Sequence, residues 1–481
     1  MTTEPTGAPA GRDELVFGTD GWRDVIAERF TFANVGRAAQ AYANHLRATG
    51  GRTVVVGHDT RFLGDRFARR VAEVLAANGL GVHLVQGYLP TPALSFAVRH
   101  LGADGGVMLT ASHNPSIWNG FKLKGAYGGS ASDATYRSVA EATRHVDHAD
   151  VAPYDAARHQ VESLDISGAY YDALAELVDL DVLARAGAPI LHDAMGGAAA
   201  GWLAGFFRHV GLPDLVVEMR GKPDPLFYGV HPEPIAVNLA ATVERMTEEA
   251  GTPLFAVATD GDGDRLGVVV PGGAFFNSHQ IFAVLLDQLQ RAGGQGTVVK
   301  TFTVSRVIER LAASRGLPVQ ETKVGFKYVA DAMLKGHVLL GGEESGGIGV
   351  SAHLPERDGL ANALLLMQSV AQSGESLSQR FAQIEREVNW RHAYDRLDLT
   401  LDSDERKERA LVTVGEVSAL AGRQVTSVEL LDGVKLNLAD DAWLLVRPSG
   451  TEPLLRIYCE GPDEAAVAAT LAAARELATA G

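Results

Sequence analysis

The run Thr53-Val54-Val55-Val56-Gly57 decides the fold, because it opens a unit that the chain repeats twice more. A β-branched run of this kind reads as a strand. A helix is expected next, with Phe67, Val71, Val74 and Leu75 on one face and Gly79 as its stop. The unit restarts at Pro189-Ile190-Leu191-His192-Asp193, with Trp202, Leu203, Phe206, Phe207 and Val210 as the helix stripe and Gly211 closing it. A third copy starts at Thr297-Val298-Val299-Lys300, with Val304, Ile308 and Leu311 as its stripe and Gly316 as its stop. Each copy continues through another strand, another helix and another apolar strand. Such alternation predicts three related α/β domains with mixed, largely parallel sheets.

Past residue 388 the pattern changes. Strand-like runs at 393–401, 442–447 and 454–460 precede an Ala-rich terminal helix from about Asp463. They predict a C-terminal α+β domain that covers the site. A chain of 481 residues suits roughly three or four domains. The expected divisions are 1–160, 161–268, 269–388 and 389–481.

Composition narrows the function. With 46% apolar and 21% charged residues the chain is of globular type. A formal net charge of −16 argues against nucleic acid or an anionic membrane as main partner, since like charges repel. A few converging cations still suffice for a small anionic substrate. The single cysteine, Cys459, excludes an intramolecular disulfide framework and a multi-cysteine metal site. Neither a signal peptide nor a bilayer-length apolar run is evident, so a cytoplasmic protein is expected, as a monomer or homodimer. Residues 1–12 are polar and Pro/Gly-containing, and are expected to be mobile.

A polar loop after the last apolar strand of each copy carries the chemistry. The loops are Thr110-Ala111-Ser112-His113-Asn114-Pro115, Asp260-Gly261-Asp262-Gly263-Asp264-Arg265 and Gly341-Gly342-Glu343-Glu344-Ser345-Gly346-Gly347. Open α/β sheets place ligands at such strand ends, so three unusual polar loops there favour one shared site. In the acidic loop, Asp260, Asp262 and Asp264 can turn inward onto one hard cation, Mg²⁺ or Mn²⁺, with glycines permitting the tight turns. An EF-hand is excluded, because the sixth loop residue is Arg265 and the twelfth Pro271. A solvated acidic turn stays open. So does an aspartyl-phosphate phosphatase with Asp260 as nucleophile, although Asp264 stands where such enzymes usually have Thr.

Ser112 lacks Gly-x-Ser-x-Gly flanks, and its neighbour His113 is badly placed to activate it. If Ser112 carries phosphate, that phosphate would complete the metal surroundings offered by the aspartates. Lys122, in Asn119-Gly120-Phe121-Lys122-Leu123-Lys124, can return to the serine loop as an acid/base with lowered pKa or as a plain phosphate clamp. Arg23, in Phe17-Gly18-Thr19-Asp20-Gly21-Trp22-Arg23, is a further cation for the same anion. Glu343 and Ser345 suit paired sugar hydroxyls, Glu344 is expected to face solvent, and Lys327 after Gly325-Phe326 offers another anion or hydroxyl contact. Asp358 reads as a helix N-cap before the apolar stretch 360–370. Arg447-Pro448-Ser449-Gly450-Thr451-Glu452-Pro453, with Arg456, supplies the forked donors and freed backbone N–H groups of a second phosphate site.

With Phe17–Arg23 and the four loops in the family's order and spacing, the chain closely resembles the alpha-D-phosphohexomutases over nearly its whole length. The resemblance implies three related α/β domains and a flexible fourth domain around a central cleft. It implies phosphate on Ser112, and Mg²⁺ on Asp260, Asp262 and Asp264 beside that serine. Arg23, His113, Lys122 and Arg265 would surround the reacting phosphoryl group. Glu343 and Ser345 would hold the sugar, and Arg447, Ser449, Gly450, Thr451 and Arg456 the distal phosphate. The implied reaction moves phosphate between O1 and O6 of a hexose through a hexose 1,6-bisphosphate, with glucose 1,6-bisphosphate as activator. Gly347 replaces the histidine that ends the sugar loop of phosphoglucosamine mutases and dual mannose/glucose enzymes, and Glu344 is like the glucose enzymes. Glucose 1-phosphate and glucose 6-phosphate are therefore expected, with mannose or glucosamine phosphates as alternatives. A non-catalytic sugar-phosphate binding protein would be expected to have lost the serine or the aspartates.

Overall fold

A computed structural model describes residues 14–18, 20–151, 154–157, 159–248, 253–401, 403–448 and 454–479. Three sheets repeat one plan. In the first, Thr53–His58 lies between Gly81–Val85 and Gly105–Leu109, all parallel, and Trp118–Gly125 returns antiparallel to Gly105–Leu109. In the second, Ile190–Asp193 pairs in parallel with Val216–Met219 and Ala256–Thr259, and Leu266–Val269 returns antiparallel. In the third, Thr297–Thr301 pairs in parallel with Val319–Thr322 and Val338–Gly342, and Ile348–Val350 returns antiparallel. Each chemical loop is thus the turn between the last parallel strand and its antiparallel return. That is why the three loops are equivalent.

Most of the predicted helix stripes are buried, although Trp202 and Val210 are only half-buried, and Val210 and Val304 lie just outside the helices Trp202–His209 and Arg306–Ser314. Phe67, Val71, Val74 and Leu75 lie inward on the helix Gly64–Ala77, and Phe206 and Phe207 on Trp202–His209. Truncating one such aromatic to alanine would cost ~3–5 kcal/mol. Asp358 caps the helix Gly359–Ser373 by accepting the N–H groups of Leu360 and Ala361, both at 3.0 Å.

Two expected divisions fall inside sheets. Val161–Leu164 pairs in parallel with Gly81–Val85, so residue 160 is not the edge of the first sheet. Leu266–Val269 pairs with Phe275–Phe276, so residue 268 lies within a strand of the second. Short strands beyond the repeat carry no periodicity long enough to assign them from sequence.

The fourth sheet is antiparallel, in the order Ala393–Thr400, Leu454–Gly461, Trp443–Pro448, Val434–Leu438, Arg423–Glu429, Ala419–Leu420. The helices Asp404–Gly415 and Glu464–Thr479 belong to this unit, which has its own core. One continuous core, by contrast, joins residues of the first three units.

The fourth unit docks on the third through a buried carboxylate. Glu460 accepts from Trp443 Nε1 at 2.7 Å, Trp390 Nε1 at 3.1 Å, the Arg306 N–H at 2.9 Å and the Ser305 hydroxyl, with His392 Nδ1 at 2.9 Å. Burial alone would raise this carboxyl, but His392, Ser305 and the Arg306 N–H outweigh it and hold the group well below the usual range. Glu460→Gln is expected to destabilise the protein by ~2–4 kcal/mol at neutral pH, because buried donors lose their anion. A carboxyl whose pKa is depressed by folding contributes stability above its unfolded pKa and loses it as pH falls. The gap between wild type and variant in urea melts should therefore narrow as pH drops below ~4.3.

Candidate active site

The strand Gly105–Leu109 is buried along its length and delivers the chain into the serine loop. There the Thr110 hydroxyl accepts the Ser112 N–H at 2.9 Å, and Ser112 adopts a left-handed φ of +53°. Non-glycine residues take this region rarely. The turn aims the serine into the protein: its Oγ donates to Asp260 Oδ2 at 2.8 Å, and only 1% of the residue is exposed. His113 Nδ1 lies 3.4 Å from the same Oγ, closer than adjacency in sequence suggested. Burial first, then Arg265 and Arg23, push the His113 ring well below its ordinary range.

The acidic loop meets the serine loop directly. A Cβ on Gly261 would stand 2.3 Å from the Ser112 carbonyl oxygen, so only glycine permits this approach. Asp260 Oδ1 accepts the N–H groups of Asp264 and Arg265, at 3.0 and 3.1 Å. The Thr91 hydroxyl donates to Asp262 Oδ2 at 2.6 Å from the start of the helix Thr91–His100. One carboxylate oxygen from each of Asp260, Asp262 and Asp264 lies within 4.8 Å of the others, and all three residues are buried. Asp262 Oδ1 and Asp264 Oδ1 accept no hydrogen bond. Burial above all, then the neighbouring aspartates, push Asp260 well up, and burial raises Asp264. Burial opposes ionisation of Asp262 too, but Lys122 overrides it and holds that carboxyl low. Clustered buried carboxylates with oxygens to spare fit a hard divalent cation.

Cations close the other side. Lys122, on Trp118–Gly125, is fully buried, with its Nζ 2.8 Å from Asp262, 2.9 Å from Asp20 and 3.5 Å from Asp264. Of the two roles left open from sequence, the one that needs a lowered lysine pKa is not found. Burial does depress it, but Asp20, Asp262 and Asp264 outweigh burial and raise it above the ordinary lysine value. Arg23 donates to Asn114 Oδ1 at 2.7 Å, and Arg265 lies 3.9 Å from both Asp264 and Glu233.

Four residues at this site carried no signal on their own in the sequence: Asp20, Arg61, Thr91 and Arg357. Arg357 joins three loops. Its Nη2 is 2.7 Å from Asp264 and 3.2 Å from Asp20, and its Nη1 is 3.6 Å from Glu343. Burial opposes its charge, and Asp264, Asp20, Glu356 and Glu343 more than restore it.

In the third loop, Glu343 Oε1 accepts the Gly325 N–H at 3.0 Å, and burial raises its carboxyl. Ser345 is half-buried beside it. Glu344, expected to face solvent, pairs instead with Arg396 of the fourth unit at 3.3 Å. A Cβ on Gly347 would stand 2.4 Å from Arg357 Cδ, so the arginine stem fills the space a side chain there would need. Arg357 is tied at its head and cannot give way cheaply. Gly347→Ala is therefore expected to cost ~1–3 kcal/mol in a denaturant melt.

Lys327 reaches Asp133 of the first unit at 2.7 Å, with its ammonium over the Tyr328 ring. Arg447 and Arg456 stand directly opposite on the paired strands Trp443–Pro448 and Leu454–Gly461, with Arg447 Nε donating to Asp432 at 2.9 Å. Two facing arginines favour an anion between them. Ser449, Gly450 and Thr451, the rest of the predicted phosphate run, lie outside the described residues.

Family models match the chain in order: phosphoglucomutase/phosphomannomutase alpha/beta/alpha domain I at 14–150, domain II at 168–273, domain III at 277–387 and the C-terminal domain at 406–477. A phosphoglucomutase/phosphomannomutase of Thermococcus kodakarensis is 31% identical over 93% of this chain and 95% of its own. A phosphoglucosamine mutase of Salinispora arenicola is 32% identical over the same shares. The solved structure of a candidate phosphomannomutase from Thermus thermophilus is 45% identical, with a TM-score of 0.87 over 96% of this chain and 99% of that one. A serine held over three aspartates, four loops in order and matches along the whole length have one reading: the chain belongs to the phosphoglucomutase/phosphomannomutase family, the alpha-D-phosphohexomutases, and is an enzyme of that type.

Proposed function

We propose that the protein interconverts glucose 1-phosphate and glucose 6-phosphate, using Ser112 as the phosphoryl carrier. The observation that carries this reading is the Ser112 hydroxyl, buried 2.8 Å from Asp260 at the mouth of the three-aspartate cluster. A free sugar hydroxyl attacks the phosphorus, one O–P bond forms, the bond to Ser112 Oγ breaks, and a proton passes from the sugar hydroxyl to the serine oxygen. The resulting glucose 1,6-bisphosphate turns over, and its other phosphate returns to Ser112. A divalent cation on Asp260, Asp262 and Asp264, Mg²⁺ being the natural choice, neutralises charge on the phosphoryl oxygens when bound.

The protein's own groups divide the remaining work. Arg23, Arg265 and Lys122 are fixed positive charges around the transferring group, and the protonated Lys122 suits an acid or clamp rather than a base. The His113 ring, with Nδ1 3.4 Å from Ser112 Oγ, is within reach to relay the proton. Glu343 and Ser345 hold the sugar, with Lys327 at the rim. Arg447 and Arg456, with Ser449, Gly450 and Thr451, hold the phosphate that stays.

Glucose is favoured because the Arg357 stem closes the space beside Gly347, where other members of the family are expected to place a histidine. Mannose phosphate is the second reading, favoured by the name of the Thermus thermophilus relative. Measuring kcat/KM for glucose 1-phosphate, mannose 1-phosphate and glucosamine 1-phosphate tests the choice. Glucose 1-phosphate should lead, and a tenfold preference for either rival would replace it. Glu343→Ala should raise KM for the favoured sugar by ~10-fold or more, through one lost charge-assisted hydrogen bond of ~1.5–3 kcal/mol.

A further inference from the structure

Arg61 lies outside every loop that the sequence singled out, yet all five of its guanidinium N–H donors converge on the serine loop and its support. Nη2 donates to the carbonyl oxygens of Ser112 and Asn114, both at 2.6 Å. Nη1 donates to those of Pro115 at 2.7 Å and Trp118 at 2.9 Å. Nε donates to Asp59 Oδ2 at 3.1 Å, and the Arg61 backbone N–H binds Asp59 Oδ1 at 3.0 Å. The guanidinium lies 4.8 Å from the centre of the Phe227 ring of the second unit, and its side chain is fully buried. One cation therefore gathers four carbonyls of a single turn.

The loop needs such a clamp. Ser112 is held at φ +53°, a conformation that costs a non-glycine residue of order 1–3 kcal/mol and persists only where its surroundings impose it. The clamped carbonyl of Ser112 is also the atom against which Gly261 packs, and a Cβ there would come within 3.5 Å of Arg61 Nη2. Arg61 thus sits where the serine loop abuts the metal loop, without touching the Oγ or the aspartate cluster.

We infer that Arg61 is a positioning residue for phosphoryl transfer: its guanidinium fixes the left-handed turn that aims the Ser112 oxygen at the aspartate cluster. The inference rests on the reading of Ser112 as phosphoryl carrier. It separates turnover from binding, since the hydrogen bonds of Arg61 go to Asp59 and the serine loop and not to Glu343, Ser345, Arg447 or Arg456, the groups proposed to hold the sugar and the distal phosphate. A lysine at this position keeps the charge but offers three rotatable donors in place of a planar fork of five. Misplacing a reacting atom by about 1 Å costs ~10²-fold in rate.

The test uses the full chain with glucose 1-phosphate, glucose 1,6-bisphosphate and Mg²⁺. Arg61→Lys should lower kcat by ~10²-fold, with KM within twofold of wild type. Guanidinium ion at millimolar concentration should restore part of the turnover of Arg61→Ala, and methylammonium at equal concentration should not. Ser112→Ala, run alongside, tests the underlying reading separately. If Ser112→Ala stays active, the carrier assignment fails. If Ser112→Ala is inactive while Arg61→Lys turns over as wild type, only the role of Arg61 is lost. A rise in KM matching the fall in kcat/KM overturns it, as does Arg61→Ala folding without guanidinium rescue. If neither Arg61 variant folds, Arg61 is a residue of the fold and the inference is equally overturned.

Discussion

Ser112→Ala is expected to lower kcat by on the order of 10⁴-fold or more, leaving a folded protein that still binds sugar phosphates. The substitution removes one oxygen from a buried residue, and the Thr110 hydroxyl that accepts the Ser112 N–H is untouched. The turn and the aspartate cluster should therefore survive, and only the carrier disappears. Phosphopeptide mass spectrometry after incubation with glucose 1,6-bisphosphate supplies the companion measurement. Wild type should carry an acid-stable phosphate on Ser112, and the variant none. A hydroxylamine-labile phosphate on Asp260 would instead revive the aspartyl-phosphate reading. Activity of the alanine variant within tenfold of wild type would end the proposal.

Removal of divalent cations should have the next largest effect. Chelation with EDTA is expected to lower kcat by ~10²–10³-fold, with activity returning when Mg²⁺ is added. Asp264→Asn should show a similar loss that added Mg²⁺ repairs only in part, because one charge of the three is gone. The physical basis is the cluster itself: three buried carboxylates within 4.8 Å of one another, with oxygens, Asp262 Oδ1 and Asp264 Oδ1 among them, that accept no hydrogen bond. Repulsion among them is offset by a bound cation, so Mg²⁺ should also raise the melting temperature, with a shift that grows with the logarithm of its concentration above Kd. Full activity in chelated protein, or no thermal shift with Mg²⁺, would show that Lys122 and Arg357 alone neutralise the cluster.

Glu344 illustrates how local reading misleads. Alone it is a second acid on a Gly-rich turn, for which solvent is the reasonable expectation. Its partner Arg396 stands on the first strand of the fourth unit, and only the docking of that unit brings the two together. Lys122 is a similar case. Desolvation alone argues for a lowered pKa, yet Asp20 and Asp262 approach it from two other segments and reverse the sign.

Periodic and clustered features were legible from the amino-acid order. Helix stripes, β-branched strands and glycine-flanked polar turns each depend on neighbours within a few residues, so the three repeats and the three loops could be read directly. The serine, the three aspartates and Glu343 stood out for the same reason. No helix among the described residues is long and apolar enough to cross a bilayer.

Arg61, Thr91, Asp20 and Arg357 have no such local signature. Thr91 meets Asp262 across 171 residues, and Arg357 meets Asp20 across 337. Lone polar residues at those distances acquire a role only from the geometry that closes the intervening chain. The sequence by itself determined which groups are candidates for the chemistry, because reactive residue types and their turns are written locally. Tertiary structure alone decided how those groups are charged, clamped and aimed, because electrostatic fields and hydrogen-bond directions belong to atoms brought together from distant parts of the chain.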